Sequence, residues 1–117
     1  MKYIIDDIPP SNNKFKGRQN FWEYRKMKKQ WEALVYYQCR PKPKKPFENV
    51  RVVITYYFPT KHRHDPDNYN GVFILDGLVK AGILKDDSFE CISLQLHGIY
   101  DKGNPRTEID IYELFDV

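Results

Sequence analysis

Nine consecutive residues, Val50-Arg51-Val52-Val53-Ile54-Thr55-Tyr56-Tyr57-Phe58, constrain the fold of this chain more than any other stretch. β-branched and aromatic side chains dominate them, and Pro59 closes the run. Such a run reads as a central strand. A chain of 117 residues has room for one domain and one modest core, so the other elements must pack around that strand. A hydrophobic fraction of 41% is enough to supply the core. Several tyrosines and both tryptophans fall in periodic segments, which favours packing over display.

Ahead of the run, Tyr3 to Ile8 predicts a first strand, ended by Pro9-Pro10-Ser11-Asn12-Asn13 because consecutive prolines cannot donate to a ladder. A polar, basic loop follows to Gln19. Asn20 with Glu23 has the pattern of a capping box, and Tyr24, Met27, Trp31, Leu34, Val35 and Gln38 follow at helical spacing. A helix from about Phe21 to Cys39 is expected, its other face (Arg25, Lys28, Lys29, Glu32) wet. Arg40 to Phe47, with prolines among lysines, is a connector.

Beyond the run, Val72, Leu75, Leu78 and Val79 share one helical face and Gly82 occupies a C′ position, which predicts a helix from about Asn68 to Ala81. Glu90–Gly98 and Arg106–Leu114 alternate as strands, and Asp101-Lys102-Gly103-Asn104-Pro105 between them predicts a hairpin. The expected fold class is α/β (α+β): a single small domain over residues 1–117, with a mixed sheet of about four strands packed with two main helices.

The chemistry-bearing stretch is His64-Asp65-Pro66-Asp67-Asn68, followed by Asp76 and Asp86-Asp87, an acidic segment in a chain of net charge +3. Clustered carboxylates repel unless a cation sits between them, and a hard divalent ion such as Mg²⁺ takes oxygen ligands while keeping waters and phosphate in its other positions. The residue before a proline is pushed towards extended geometry, so Asp65-Pro66-Asp67 is expected to be extended, with both carboxylates on one side and Asp67 near the N-cap of the following helix. Capping is the plain structural use of one such aspartate; it leaves the other, with Asp86 and Asp87, unexplained.

Two other metal sites are excluded by spacing. An EF-hand loop starting at Asp65 needs glycine where Asn70 stands and a ligand where Tyr69 stands. Zinc held by His62, His64, Cys39 and Cys91 lacks the paired ligand spacing of structural sites.

Positive charge gathers at Arg25–Lys29, Arg40–Lys45 and Lys61-His62-Arg63, with His64 in the same strip. Basic runs beside an acidic cluster suit a protein that grips a phosphate backbone and offers a metal to it. Cys39 and Cys91 read as lone reduced thiols, and no apolar run approaches the roughly 20 residues of a membrane span. A soluble, cytoplasmic protein with no membrane partner is expected.

With these pieces in place, the chain resembles the RusA-type Holliday-junction resolvases, small endonucleases of bacterial and prophage genomes. The resemblance rests on Pro9-Pro10-Ser11-Asn12-Asn13, the basic residues leading into Asp65-x-Asp67-Asn68, Leu75-Asp76-Gly77-Leu78, Lys80-Ala81-Gly82 and Asp86-Asp87, in that order along nearly the whole chain. It implies a homodimer that binds four-way DNA junctions and, with Mg²⁺ or Mn²⁺, nicks two strands symmetrically. It also implies Asp65, Asp67 and Asp87 as catalytic and metal-holding carboxylates, with Asp86 as the alternative for the third place. Lys61, His62, Arg63, His64, Asn12, Asn13, Lys14 and Lys80 are the corresponding DNA-binding candidates.

The family carries a lysine a few residues after D-x-D-N, where this chain reads Tyr69-Asn70-Gly71-Val72-Phe73. Lys61 or Arg63 is then the expected substitute, and a junction-binding protein with weakened or lost catalysis is the alternative function. The predicted second helix, about 20 Å long, would put Asp87 far from Asp67. Three routes remain: a reversal at Gly82, a later helix start, or a third carboxylate supplied across a dimer.

Overall fold

The computed structural model describes residues 1–15 and 20–114; part of the predicted basic loop, residues 16–19, lies outside them. The nine-residue apolar run is β2 (Val50–Phe58), and it has a neighbour on each side. With β1 (Lys2–Ile5), β3 (Ile92–Tyr100) and β4 (Arg106–Glu113) it forms a mixed sheet ordered β1-β4-β2-β3. β4 is antiparallel to both β1 and β2, and β3 runs parallel to β2.

Alternation explains which face is covered. Val50, Val52, Ile54, Tyr56 and Phe58 of β2 are buried, as are Ile109 and Ile111, which lie opposite Ile54 and Val52 in register. Tyr3 and Ile5 extend this face, and helices α1 (Phe21–Gln38) and α2 (Val72–Lys80) close it with Trp31, Val35, Phe73, Ile74, Leu75 and Leu78. The helices meet at Gly77, where an added Cβ would stand 2.7 Å from Val35 Cγ2. Asp76, the member of the acidic segment that lies on α2, pairs there with Lys28 at 3.3 Å.

The uncovered face holds a charge network. Lys2 Nζ lies 2.8 Å from Glu108 Oε1, and Arg106 donates to Glu108 Oε2 (2.7 Å) and Asp101 Oδ2 (2.9 Å) while lying 3.7 Å from the Tyr57 ring. The hydrogen bond from Lys2 is the main reason, and that from Arg106 a further one, that the buried Glu108 carboxyl sits below the usual glutamate range.

The predicted hairpin between the last two strands does not form. β4 inserts between β1 and β2, and residues 101–105 pass over the end of β2, where the Asp101 N–H donates to the Phe58 carbonyl at 2.8 Å. Burial decides this: Thr107, Glu108, Ile109 and Ile111 of β4 are buried, whereas β3 is exposed almost throughout beyond Ile92. β1 ends at Ile5 rather than Ile8, because its partner strand begins at Arg106, one residue before Thr107, the partner of Ile5. The predicted capping box of α1 is not built: Asn20 has near-helical geometry (φ −99°, ψ 5°) and its side chain does not cap the first turn.

At its C-terminus α2 stops as the sequence predicts. Gly82 is left-handed (φ 78°), its N–H reaches the Val79 carbonyl (3.1 Å), and the Ile83 N–H reaches that of Leu78 (2.9 Å), a Schellman arrangement. Its start is four residues later than predicted. Gly71 (φ 85°) stands at the N-cap, and Asn70 Oδ1 accepts the Val72 N–H at 3.1 Å. No helix among the described residues is long and apolar enough to cross a membrane.

Candidate active site

The residues between β2 and α2 form a tight, anchored loop. Pro66 favours a turn here more than an extended segment: the Asn68 N–H donates to the Asp65 carbonyl (3.0 Å) and the Tyr69 N–H to that of Pro66 (3.2 Å). This corrects the extended geometry expected for Asp65-Pro66-Asp67. Asp67 sits inside the turn and is exposed, and neither it nor Asp65 caps α2, whose N-cap is Gly71 with the Val72 N–H bonded to Asn70 Oδ1. The capping explanation of these aspartates is thereby removed.

The flanks of the turn are fixed by aromatic packing. His64 lies flat on Phe58 with ring centroids 3.7 Å apart, and Tyr69 meets Phe58 edge-on at 5.0 Å. His64 is therefore half-buried and packed, not displayed in a basic strip. Between the turn and β3 lies a cavity of about 50 Å³, lined by Tyr56, Phe58, His64, Asp65, Leu96 and His97 among others. The Tyr56 hydroxyl is buried beside the Gly71 backbone, and burial pushes its titration upward against that contact.

The remaining candidates divide by location. Asn12, in the short 3₁₀ helix Asn12–Phe15, donates its N–H to the Asn68 carbonyl at 2.8 Å, which brings Asn12, Asn13 and Lys14 close to the turn. Arg63 Nε donates to Asp65 Oδ1 at 2.9 Å, so one cation already faces a candidate carboxylate. Lys61 lies 5.1 Å from the Tyr100 ring, and His62 is exposed. Lys80 stands at the far end of α2, about 12 Å from its start.

Asp86 and Asp87 lie beyond that far end. Lys85 N–H is tied to the Phe47 carbonyl (2.9 Å), and the Cys91 carbonyl accepts the Val50 N–H (2.9 Å), which hold this segment beside the starts of β2 and β3. The acidic turn instead packs near His97 and Gly98, late in β3. Within the chain the two acidic groups are thus at opposite ends of α2, and no three His, Cys, Asp or Glu side chains among the described residues form a ligand cluster. What the chain offers a cation is a pair of hard carboxylates in one turn. That donor set suits Mg²⁺ or Mn²⁺, which bind through one or two carboxylates together with waters and a substrate phosphate.

Sequence reasoning missed the aromatic support from Phe58, which read as part of the central strand, and from Tyr69, to which no packing role was given, and the contact between Arg63 and Asp65, for which i, i+2 spacing in a loop gives no signal. The chain matches the family described as Endodeoxyribonuclease RusA over residues 7–112. No curated protein sequence matches it at a significant level.

Proposed function

Because the chain belongs to the RusA endodeoxyribonuclease family, we propose that it resolves four-way DNA junctions by paired nicking as a homodimer, with Asp65, Asp67 and Asp87 as its catalytic carboxylates. The observation that carries this reading is the turn itself, which presents Asp65 and Asp67 with no capping or core task to perform. These two residues would hold a divalent ion; when bound, such an ion polarises a phosphoryl oxygen and makes hydroxide available near neutral pH.

The protein's own groups then have distinct tasks. Arg63, paired with Asp65 through Nε, would transfer its guanidinium to an arriving phosphate and so fill the role of the lysine absent from residues 69–73. Asn12 and Lys14 would contact the backbone beside the cut.

The third carboxylate is best supplied by the second copy. Among the described residues the outer edge of β3 has no neighbour in the sheet, and its nine residues carry neither proline nor lysine to discourage pairing. Two copies paired antiparallel about Leu96 would set Ile92 of one opposite Tyr100 of the other. Asp86 and Asp87, just ahead of Ile92, would thereby reach the partner's acidic turn, whose like charge calls for a cation between them. Two equivalent sites would also match the two-fold symmetry of a junction.

The first test is cleavage of a synthetic four-way junction with Mg²⁺ by wild type and Asp67→Asn. A wild-type protein that binds the junction and leaves it intact ends the enzymatic reading. Mixed dimers locate Asp87: combining D67N and D87N subunits regenerates one intact site, and nicking of one strand, only if the site is shared between subunits. The missing lysine favours a second reading, a junction-binding protein without catalysis, which predicts structure-selective binding and no nicking with either metal.

A further inference from the structure

The outer face of α1 has no part in that site. At 100° per residue, Trp22, Lys26, Lys29, Ala33, Tyr36 and Tyr37 fall within about 60° of one line along the helix. All are exposed, Trp22 by 74% and Tyr37 by 70%. Glu23 and Glu32 lie about 100° and 80° off that line, so it is free of acids.

At each end of this stripe, aromatic rings carry cations. Phe21 and Trp22 meet edge-on at 5.8 Å, with the Arg25 guanidinium 5.7 and 5.8 Å from their centroids. Tyr36 and Tyr37 meet at 5.1 Å, with Lys42 Nζ 3.6 Å and the Arg40 guanidinium 5.5 Å from the Tyr36 centroid. Such contacts restrict otherwise mobile cations before any ligand arrives. From Trp22 to Tyr36 the helix advances about 21 Å, or about six steps of a DNA strand. The N-terminal end lies towards the acidic turn: Tyr24 packs on Phe73 and on Phe15, whose short helix is bonded to Asn68 through Asn12.

Charge chooses the occupant. A second copy seated on this stripe by two-fold symmetry would set Lys26 and Lys29 against the same lysines. Stacked bases would have to displace cations from the Trp22 and Tyr36 rings. A phosphate backbone needs neither. Resting on the reading of the chain as a junction-binding protein, we propose that the α1 stripe is a second DNA contact, taking the sugar-phosphate backbone of a duplex arm outside the cleavage centre.

The test measures equilibrium binding of a long-armed four-way junction, with chelator present, over a range of salt. K26A/K29A should weaken binding roughly tenfold and flatten the slope of log affinity against log salt by about two, given about 0.9 per lost phosphate contact. W22A/Y37A, which removes no charge, should weaken binding several-fold with the slope unchanged. Both variants alter exposed side chains, and an unchanged melting temperature establishes that each folds. If either retains wild-type affinity within about twofold while wild type binds in a salt-dependent way, the stripe is not a DNA contact and the junction reading stands. If wild type itself binds no junction, both fall.

Discussion

His64 lies flat on Phe58, their ring centroids 3.7 Å apart and their planes within 5°, at the point where β2 gives way to the acidic turn. This stack ties the residue before Asp65 to the sheet. His64→Ala should cost about 1 kcal/mol of stability, as expected for an aromatic pair, and should lower junction cleavage about tenfold or more by loosening the carboxylates. Turnover and thermal unfolding measured on the same variant separate the two effects; full turnover would mean that the stack does not position the site.

Gly77 is where the two helices touch. Its added Cβ would stand 2.7 Å from Val35 Cγ2 and 2.9 Å from Val35 Cβ, atoms held in the core, so Gly77→Ala should destabilise by about 1–3 kcal/mol. Val35→Ala in the same chain makes room. Denaturant unfolding of both single variants and the double variant should therefore give a smaller loss for the double than the sum of the singles.

The charge network on the open sheet face predicts an acid sensitivity. The folded Glu108 titrates below its unfolded value, so its contribution to stability is fully present above the ordinary glutamate value of about 4.3 and is lost as pH falls through the folded value. Arg106 holds Asp101 low in the same sense. Melting temperatures of wild type should fall from pH 6 to pH 3, a range of about three units around that value, and E108Q should fall less over it. Parallel curves would remove Glu108 from the account.

Burial pushes the Cys39 thiol up to about 12, whereas Cys91 is half-buried. A thiol reagent at mildly alkaline pH should find Cys91 in the native protein, and Cys39 only after unfolding. Rapid native labelling of both would show that α1 opens readily from β1.

Much of this architecture was legible because its signals are local. The β2 run, the periodicity of α1 and the Gly82 stop of α2 each depend on a few neighbouring residues, and each stands within a residue or so of its predicted place. The order of the strands was not legible. Residues 101–105 look like a hairpin turn, and only the burial of Ile109 and Ile111 between β1 and β2 reveals that the chain must step over a strand. In the candidate site, the expectation that Asp65 and Asp67 face one side rested on an extended segment, and the chain forms a turn there instead. The distance to Asp87 could not be read either, because it is set by the bridge of Leu84 and Lys85 to Phe47 beside the start of β2, a contact between residues far apart in sequence.

The fourth strand in chain order is the one that joins the sheet's two halves. Until β4 is available, β1 has no partner and β2 lacks one of its two, so the sheet cannot close, and the Phe58 platform beneath the acidic turn lacks its bond from Asp101. Contacts this distant in sequence form late and together. A chain lacking β4 would thus carry Asp65 and Asp67 on an unsupported loop, and any DNA-cutting capacity would be confined to chains in which β4 has joined the sheet.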